Sequence, residues 1–227
     1  MAMSKKELPN DKVIEEIASK SERYVEKNIS KILVVVLALI AIVAGVFAYL
    51  QFVKKPKAEK AATELYMAES AFMEERDSLA LNGSTNNLGL LEIAKKYSST
   101  PSGNLSHAYI GIIYYDMGKY EEALQELKKF SASEKIVSPS IERLKGDCYV
   151  QLDKPQEAIK SFEKAAKDAS NEAISPLCLL KAGRVYESLK DYDNALKTYQ
   201  TIKEKYYMAP EANTVAADII RVESLKK

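Results

Sequence analysis

The sequence GIIYYDMGKYEEAL, at residues 111–124, decides the fold of this 227-residue chain because two related stretches follow it. These are GDCYVQLDKPQEAI at residues 146–159 and GRVYESLKDYDNAL at residues 183–196. Each stretch has a glycine first, a tyrosine three residues later and an alanine twelve residues later. The three columns advance together by 35 and then by 37 residues. A fixed period of this size predicts stacked copies of one structural unit.

The residue types in these columns suit a pair of crossing helices. A glycine and an alanine at the crossing let the two backbones approach, and the tyrosine fills the space toward the next unit. A large side chain follows each alanine by four residues, on the same helical face, where it should close the core of its unit. These side chains are Leu127, Phe162 and Tyr199. Pro139 and Pro176 each follow a serine, which predicts serine-capped helix starts with proline in the first position.

The pattern resembles that of the tetratricopeptide repeat family, in which glycine, tyrosine and alanine occupy the corresponding columns. The tryptophan column of that family contains His107, Glu142 and Leu179 here, and the chain has no Trp. The resemblance implies an all-α solenoid of helix-turn-helix repeats, and it says little about the ligand. We therefore expect three repeats at residues 101–209.

The segments on either side of the repeats should complete the solenoid. Residues 54–100 predict a connecting helix and a degenerate first repeat, with helices at Ala58 to Leu79 and at Leu88 to Tyr97. Residues 210–227 predict a C-terminal capping helix. Its apolar residues share one helical face and are Ala212, Val215, Ala216, Ile219 and Val222.

An apolar run precedes the repeats. Residues 32–53, ILVVVLALIAIVAGVFAYLQFV, contain no charge, and at ~1.5 Å per residue they reach about 33 Å. A signal peptide would have a shorter apolar core and a shorter leader than the 31 residues found here. A buried helix of a soluble protein of this length would not be free of charge. The run therefore predicts a single transmembrane helix.

The leader, residues 1–31, has two open interpretations. Its apolar residues have near-helical spacing, which is typical of an amphipathic helix on a membrane or a partner. They are Val13, Ile14, Ile17, Tyr24, Val25 and Ile29. The leader could equally be a solvated segment that joins the membrane helix. Charge does not determine the orientation, because five basic residues lie within about 20 residues before the span and four lie after it.

Composition excludes some classes of partner and of chemistry. Residues 54–227 contain 26 basic and 26 acidic residues, a balance that argues against a nucleic-acid partner. The single histidine, His107, lies in a packing column, and Cys148 and Cys178 form no C-x-x-C motif. The sequence has no Gly-rich phosphate loop, metal-ligand spacing or nucleophile elbow. We therefore predict a protein that is not an enzyme, without catalytic residues, cofactor or metal.

The concave groove of the solenoid is the predicted binding surface. Positions one and four residues after each glycine should face it, together with two positions from the preceding turn. This partner-binding groove consists of Ile112, Tyr115, Arg143, Asp147, Val150, Leu180, Arg184 and Glu187. The mixture suits a peptide or helix of a partner protein. Co-chaperone members of the family bind a C-terminal carboxylate through a Lys/Asn clamp, but of the corresponding positions only Lys181 is basic, which argues against that use.

A narrower resemblance covers most of the chain. A charged leader, one span and a degenerate helical pair precede Thr100-Pro101-Ser102-Gly103-Asn104-Leu105 and Tyr109-Ile110-Gly111. This order looks like that of the YfgM-like ancillary subunits of the bacterial SecYEG translocon, and the ending at Lys203 to Pro210 is similar to Bacteroidetes-type members.

The resemblance implies a single-pass protein of the inner membrane, with a cytoplasmic N-terminus and periplasmic repeats. Its implied partners are SecYEG and a membrane-anchored PpiD-type chaperone. Two alternatives remain open at this point. One is a cytosol-facing anchored receptor or adaptor of another membrane complex, and the other is an enzyme with an unrecognised site.

Overall fold

The computed structural model describes the backbone of residues 9–227 and the side chains of residues 22, 23 and 25–227. The chain forms two compact units that meet in sequence at Pro56 and Lys57. The described residues are helical apart from their connecting turns and one isolated bridge between Gly83 and Leu88. This result confirms the all-α prediction.

The first unit is a long helix. Helix α1 spans Pro9–Tyr49, and a π-helical segment follows at Leu50–Lys54. The predicted span, residues 32–53, is exposed along its whole length and is long and apolar enough to cross a membrane. The backbone of the leader is helical from Pro9, but the side chains at positions 13, 14, 17 and 24 lie outside the described residues. An amphipathic face on the leader therefore stays a prediction.

The second unit consists of helices packed in series. They are α2 (Lys55–Met73), which begins just before the boundary, α3 (Asp77–Asn82), α4 (Leu90–Lys96), α5 (Pro101–Asp116), α6 (Tyr120–Lys129), α7 (Val137–Gln151), α8 (Pro155–Ala169), α9 (Ser175–Ser188), α10 (Tyr192–Lys205) and α11 (Pro210–Leu225). The pairs α5/α6, α7/α8 and α9/α10 are the three predicted repeats. Each pair packs against the next, so the core runs through the whole array.

The glycine column lies at the helix crossings, as predicted. A Cβ atom on Gly146 would come within 2.5 Å of the Phe162 ring, and one on Gly183 within 2.3 Å of the Tyr199 ring. The alanine column, Ala123, Ala158 and Ala195, is fully buried. In each repeat, the large side chain of the second helix therefore packs directly against the backbone of the first helix.

The predicted serine caps are wrong. Helix α7 begins at Val137, and the carboxylate of Glu134 accepts three backbone N–H groups there, at 2.7–2.9 Å. Before α9, the Asn171 Oδ1 atom accepts the backbone N–H groups of residues 173 and 174. Each capping side chain lies upstream of the serine and reaches the free N–H groups first, so Ser138 and Ser175 cap neither helix.

The predicted helix from Ala58 to Leu79 is interrupted. Helix α2 ends at Met73, and Glu75 adopts a left-handed conformation with φ of 56°. The Arg76 N–H group then donates to the Ala71 carbonyl at 2.9 Å, which closes the helix end before α3 begins. Neither glycine nor proline marks this break, so the helical pattern of the sequence continues through it.

The C-terminal helix buries the predicted face. Val215 and Val222 of α11 are fully buried in one cluster with Tyr199 and Ile202 of α10. Ala212 and Ile219 pack beside them. Helix α11 therefore covers the end of the last repeat.

Candidate functional site

A depression of about 230 Å³ lies on helices α5, α7 and α9. Four predicted groove residues line it together, and they are Tyr115, Asp147, Val150 and Arg184. Four further residues complete its lining, and they are Gln151, Phe162, Lys181 and Val185. The depression thus draws on all three repeats, and its lining is partly apolar and partly charged.

An ion-pair network centred on Asp147 supplies charge to the depression. The Arg143 Nη1 atom donates to Asp147 Oδ2 at 2.9 Å, and the Lys181 Nζ atom donates to Asp147 Oδ1 at 2.8 Å. The Asp147 side chain is only 12 % exposed, so both carboxylate oxygens find their partners largely away from water. The network ties α7 to α9, and its two cations outnumber its one acid.

Aromatic and aliphatic side chains form the apolar part of the lining. The Tyr115 ring packs edge-on against Tyr120 at a centroid distance of 5.4 Å. Burial, followed by the nearby Asp147 charge, raises the pKa of Tyr115 above its ordinary value. The phenol therefore stays protonated near neutral pH and can donate a hydrogen bond. Val150 is 44 % exposed and offers apolar area to a ligand.

Leu180 and Glu187 do not belong to this open surface, because α11 covers that end of the groove. Leu180 is buried in the same cluster as Val215 and Val222. The Glu187 carboxylate accepts hydrogen bonds from Arg221 Nε and Nη2 at 2.8 and 2.9 Å and from the Tyr199 hydroxyl at 3.1 Å. The bonds from Arg221 lower the pKa of Glu187. The sequence pattern predicted Leu180 and Glu187 in the open groove, and the structure corrects this prediction.

Ile112 also lies outside the depression. It is half-buried and packs against the cluster that contains Ala108, Ala123 and Leu127. Arg143 reaches the site through Asp147. The open part of the groove therefore centres on Tyr115, Asp147, Val150 and Arg184.

Lys181 is the most informative residue that the groove prediction missed. It lies 34 residues after Asp147, close to the repeat period, and it has the opposite charge. That spacing places the two side chains on the first helices of neighbouring repeats. It is the feature of the sequence from which this contact could have been predicted. Phe162 was predicted only as core, yet one face of its ring also reaches the depression, where Lys181 lies 5.9 Å from the ring centroid.

The single histidine and the two cysteines of the chain lie outside this depression. His107 Nδ1 lies 2.7 Å from Glu126 Oε2, which links α5 to α6, and Lys129 donates to the other oxygen. Burial raises the pKa of Glu126, but the hydrogen bonds from Lys129 and His107 outweigh it and lower the pKa overall. Cys148 and Cys178 are free, fully buried thiols, and burial raises their pKa values to about 12 and about 11. Among the described residues, no group of three His, Cys, Asp or Glu side chains could hold a metal ion.

Sequence comparisons identify tetratricopeptide repeats in the same region. Residues 87–181 match a tetratricopeptide repeat-like domain, and residues 177–206 match a tetratricopeptide repeat. A TPR repeat-containing protein of Methanocaldococcus jannaschii, MJ1428, is 31 % identical over 116 residues. That alignment covers 51 % of this chain and 20 % of the relative, so the match spans about a fifth of the relative's length.

Solved structures share the architecture. The MamA protein superimposes with a TM-score of 0.53 at 17 % identity, over 73 % of this chain and 89 % of MamA. The TPR-like repeats of a putative kinesin light chain from Podosopora anserina give a TM-score of 0.56 at 13 % identity, over 74 % and 87 % of the two chains. At such identities the likeness shows the fold alone. By its repeat columns, its helix packing and these matches, the region of residues 87–206 belongs to the tetratricopeptide repeat family.

Proposed function

We propose that this protein is a membrane-anchored scaffold whose groove binds a segment of a partner protein. Tetratricopeptide repeats imply a protein–protein interaction scaffold, and the apolar helix supplies a segment able to cross a membrane. The observation that supports the proposal most is the open depression around Asp147, which combines apolar and charged lining residues.

The chemistry of the depression suits a short amphipathic segment. Tyr115, Val150 and Val185 can contact an apolar side chain of the partner. Arg184 is exposed, and the acid that its charge influences, Glu187, is already bonded to Arg221. Because Arg143 and Lys181 share the single acid Asp147, the site has an excess of positive charge. A partner segment with an acidic group beside an apolar side chain would match both the apolar surface and the excess of positive charge.

The more specific proposal is an ancillary subunit of the bacterial Sec translocon. In this role, the protein recruits a PpiD-type chaperone to emerging secreted or membrane proteins. The leader lies in the cytoplasm, residues 32–53 cross the inner membrane and the repeats lie in the periplasm. Support comes from the resemblance to YfgM-like subunits, which share the order of leader, span, degenerate pair and repeats.

Site-specific crosslinking in intact bacterial membranes tests both the partner-binding groove and the Sec role. A photoreactive amino acid replaces Val150 in the full chain, and a matched control replaces Lys160, which is exposed on the second helix of the same repeat. We expect a defined crosslinked partner from position 150 and none from position 160. Equal products from both positions would refute the groove. A defined partner outside the translocon and its chaperones would refute the Sec role while leaving the groove intact.

A further inference from the structure

The balanced charge of the repeat domain is separated between two edges of the solenoid. Successive helices are antiparallel, so α4, α6, α8 and α10 end at the edge where α5, α7 and α9 begin. The last turns of the former four helices contain seven lysines, and we name this side the basic edge. The lysines are Lys95, Lys96, Lys128, Lys129, Lys167, Lys203 and Lys205.

The opposite side has the opposite charge, and we name it the acidic edge. The first turns of α6, α8 and α10 contain Glu121, Glu122, Glu157 and Asp193. Asp77 and Asp116 add to this edge at the start of α3 and the end of α5. Burial raises the pKa of Asp116, and the nearby Asp77 charge raises it further, so the two acids are close in space.

The helix dipole accounts for only part of this separation. A dipole favours acids in the first turn and bases in the last turn of every helix. The ends of α6, α8 and α10 follow that rule. Helices α5, α7 and α9 depart from it, with no acid in the first turn and no base in the last turn. Each departure leaves an excess of one sign at its edge, although Lys119, Lys154 and Lys190 also lie at the acidic edge.

Some acids do lie at the basic edge, and part of their charge is already matched. Glu126 bonds to Lys129 and His107, and Glu134 accepts three backbone N–H groups at the start of α7. Four acids remain at this edge. They are Asp168, Glu172 and Glu204, which are exposed, and Glu211, which is half-buried in the first turn of α11. The lysines outnumber them, so the edge retains a positive field.

The start of the domain lies at the basic edge. The Lys57 Nζ atom donates to Ser99 Oγ at 3.2 Å, and Ser99 lies in the turn between the end of α4 and the start of α5. Lys57 also follows Val53, the last residue of the apolar run, by four residues. Even a fully extended chain of that length reaches only about 14 Å. If the run spans a bilayer, covalent connectivity keeps this part of the edge close to the bilayer surface.

We propose that the basic edge lies against an anionic phospholipid surface. The proposal requires the apolar helix to reside in the bilayer, and it is independent of the groove and of its partner. Lysine ammonium groups near a membrane are attracted by acidic headgroups within about one Debye length. With the basic edge on the lipid, the acidic edge points away from the membrane and the helices stand upright between the two.

A fluorescence experiment on the full chain in vesicles measures which edge meets the lipid. Both native cysteines are fully buried, so an introduced surface cysteine can be labelled selectively. Ser131→Cys places a fluorophore at the basic edge, and Gln156→Cys places one at the acidic edge. Vesicles contain nitroxide-headgroup lipid in phosphatidylcholine, either alone or with phosphatidylglycerol. We expect stronger quenching at position 131 with phosphatidylglycerol than without it, and none at position 156.

Two matched triple variants test the role of the lysines. Lys95, Lys167 and Lys203 are changed to Gln at the basic edge, and Lys119, Lys154 and Lys190 are changed to Gln at the acidic edge. The basic-edge variant should reduce the ratio of membrane-bound to detached repeat domain by on the order of fivefold per lysine. The acidic-edge variant should not reduce this ratio. Equal quenching at both edges, equal effects of the two triples, or quenching independent of phosphatidylglycerol would overturn the proposal. Carbonate extraction checks separately that the apolar helix is in the bilayer.

Discussion

The Phe162 ring occupies the space that a side chain on Gly146 would need, because a Cβ atom there would lie 2.5 Å from the ring. Leu127 has the same relation to Gly111, and Tyr199 has it to Gly183. The glycine column and the large-residue column are therefore two halves of one contact, repeated in each pair of helices.

We expect Gly146→Ala to destabilise the repeat domain by about 1–3 kcal/mol, since the added methyl group must displace a ring buried in a packed core. Urea unfolding followed by circular dichroism measures the change in the free energy of unfolding. Adding Phe162→Leu should recover part of the loss, because the smaller side chain leaves room for the methyl group. A stability within 0.5 kcal/mol of the parent, a change typical of surface substitutions, would contradict the contact.

The Asp147 network should couple the second and third repeats. Asp147→Asn removes the charge shared by Arg143 and Lys181, and we expect a loss of about 1–3 kcal/mol, the cost of a partly buried charged hydrogen bond. A double-mutant cycle with Lys181→Met should give a coupling energy of about 0.5–3 kcal/mol. Additive effects of the two substitutions would show that the pair contributes nothing to stability.

A groove variant should lose its partner without losing its fold. Tyr115→Ala combined with Arg184→Glu removes a contact surface and reverses a charge, and a few such residues usually dominate binding. We expect retained helical circular dichroism, a thermal midpoint within a few degrees of the parent, and loss of the crosslink from position 150. The matched control is Tyr207→Ala with Lys160→Glu, two exposed positions that do not line the depression. If both variants keep the crosslink, the partner binds elsewhere.

The proposed orientation predicts a protease result. Protease added to intact spheroplasts should digest residues 54–227, because the repeats lie in the periplasm in this proposal. A cytoplasmic marker protein must survive in the same sample, as evidence that the membrane is sealed. Survival of the repeat domain until the membrane is lysed would favour the cytosol-facing receptor instead.

Glu126 should contribute to acid unfolding. Its pKa in the folded protein is lowered from the ordinary value of 4.5, because hydrogen bonds from Lys129 and His107 outweigh burial. A lowered pKa means that this stabilisation is fully present above about pH 4.5 and is lost as the pH falls through the folded value. Glu126→Gln should therefore be less stable than the parent near neutral pH, and the two stability curves should converge in acid. If the stability curves of Glu126→Gln and the parent stay parallel from neutral pH into acid, Glu126 does not contribute to acid unfolding.

Short-range periodicity made much of the fold predictable. The glycine, tyrosine and alanine columns indicated three helical pairs, because they recur with the period of a two-helix unit. The apolar spacing of α11 indicated its buried face, because that pattern arises from the geometry of a single helix. The break at Glu75 and the caps at Glu134 and Asn171 were not predictable in this way. They depend on which side chain reaches a free backbone group first, and several residue types at several positions can do so.

The sequence by itself determined that the chain has a 22-residue uncharged apolar run and a repeated two-helix unit, since length, hydropathy and period are properties of the linear chain. Tertiary structure alone decided which predicted groove residues are accessible. Helix α11 buries Leu180 and engages Glu187 through Arg221, while Lys181 crosses to Asp147 of the preceding repeat. It also gave the two edges opposite excesses of charge, because antiparallel stacking brings alternate helix ends to the same side.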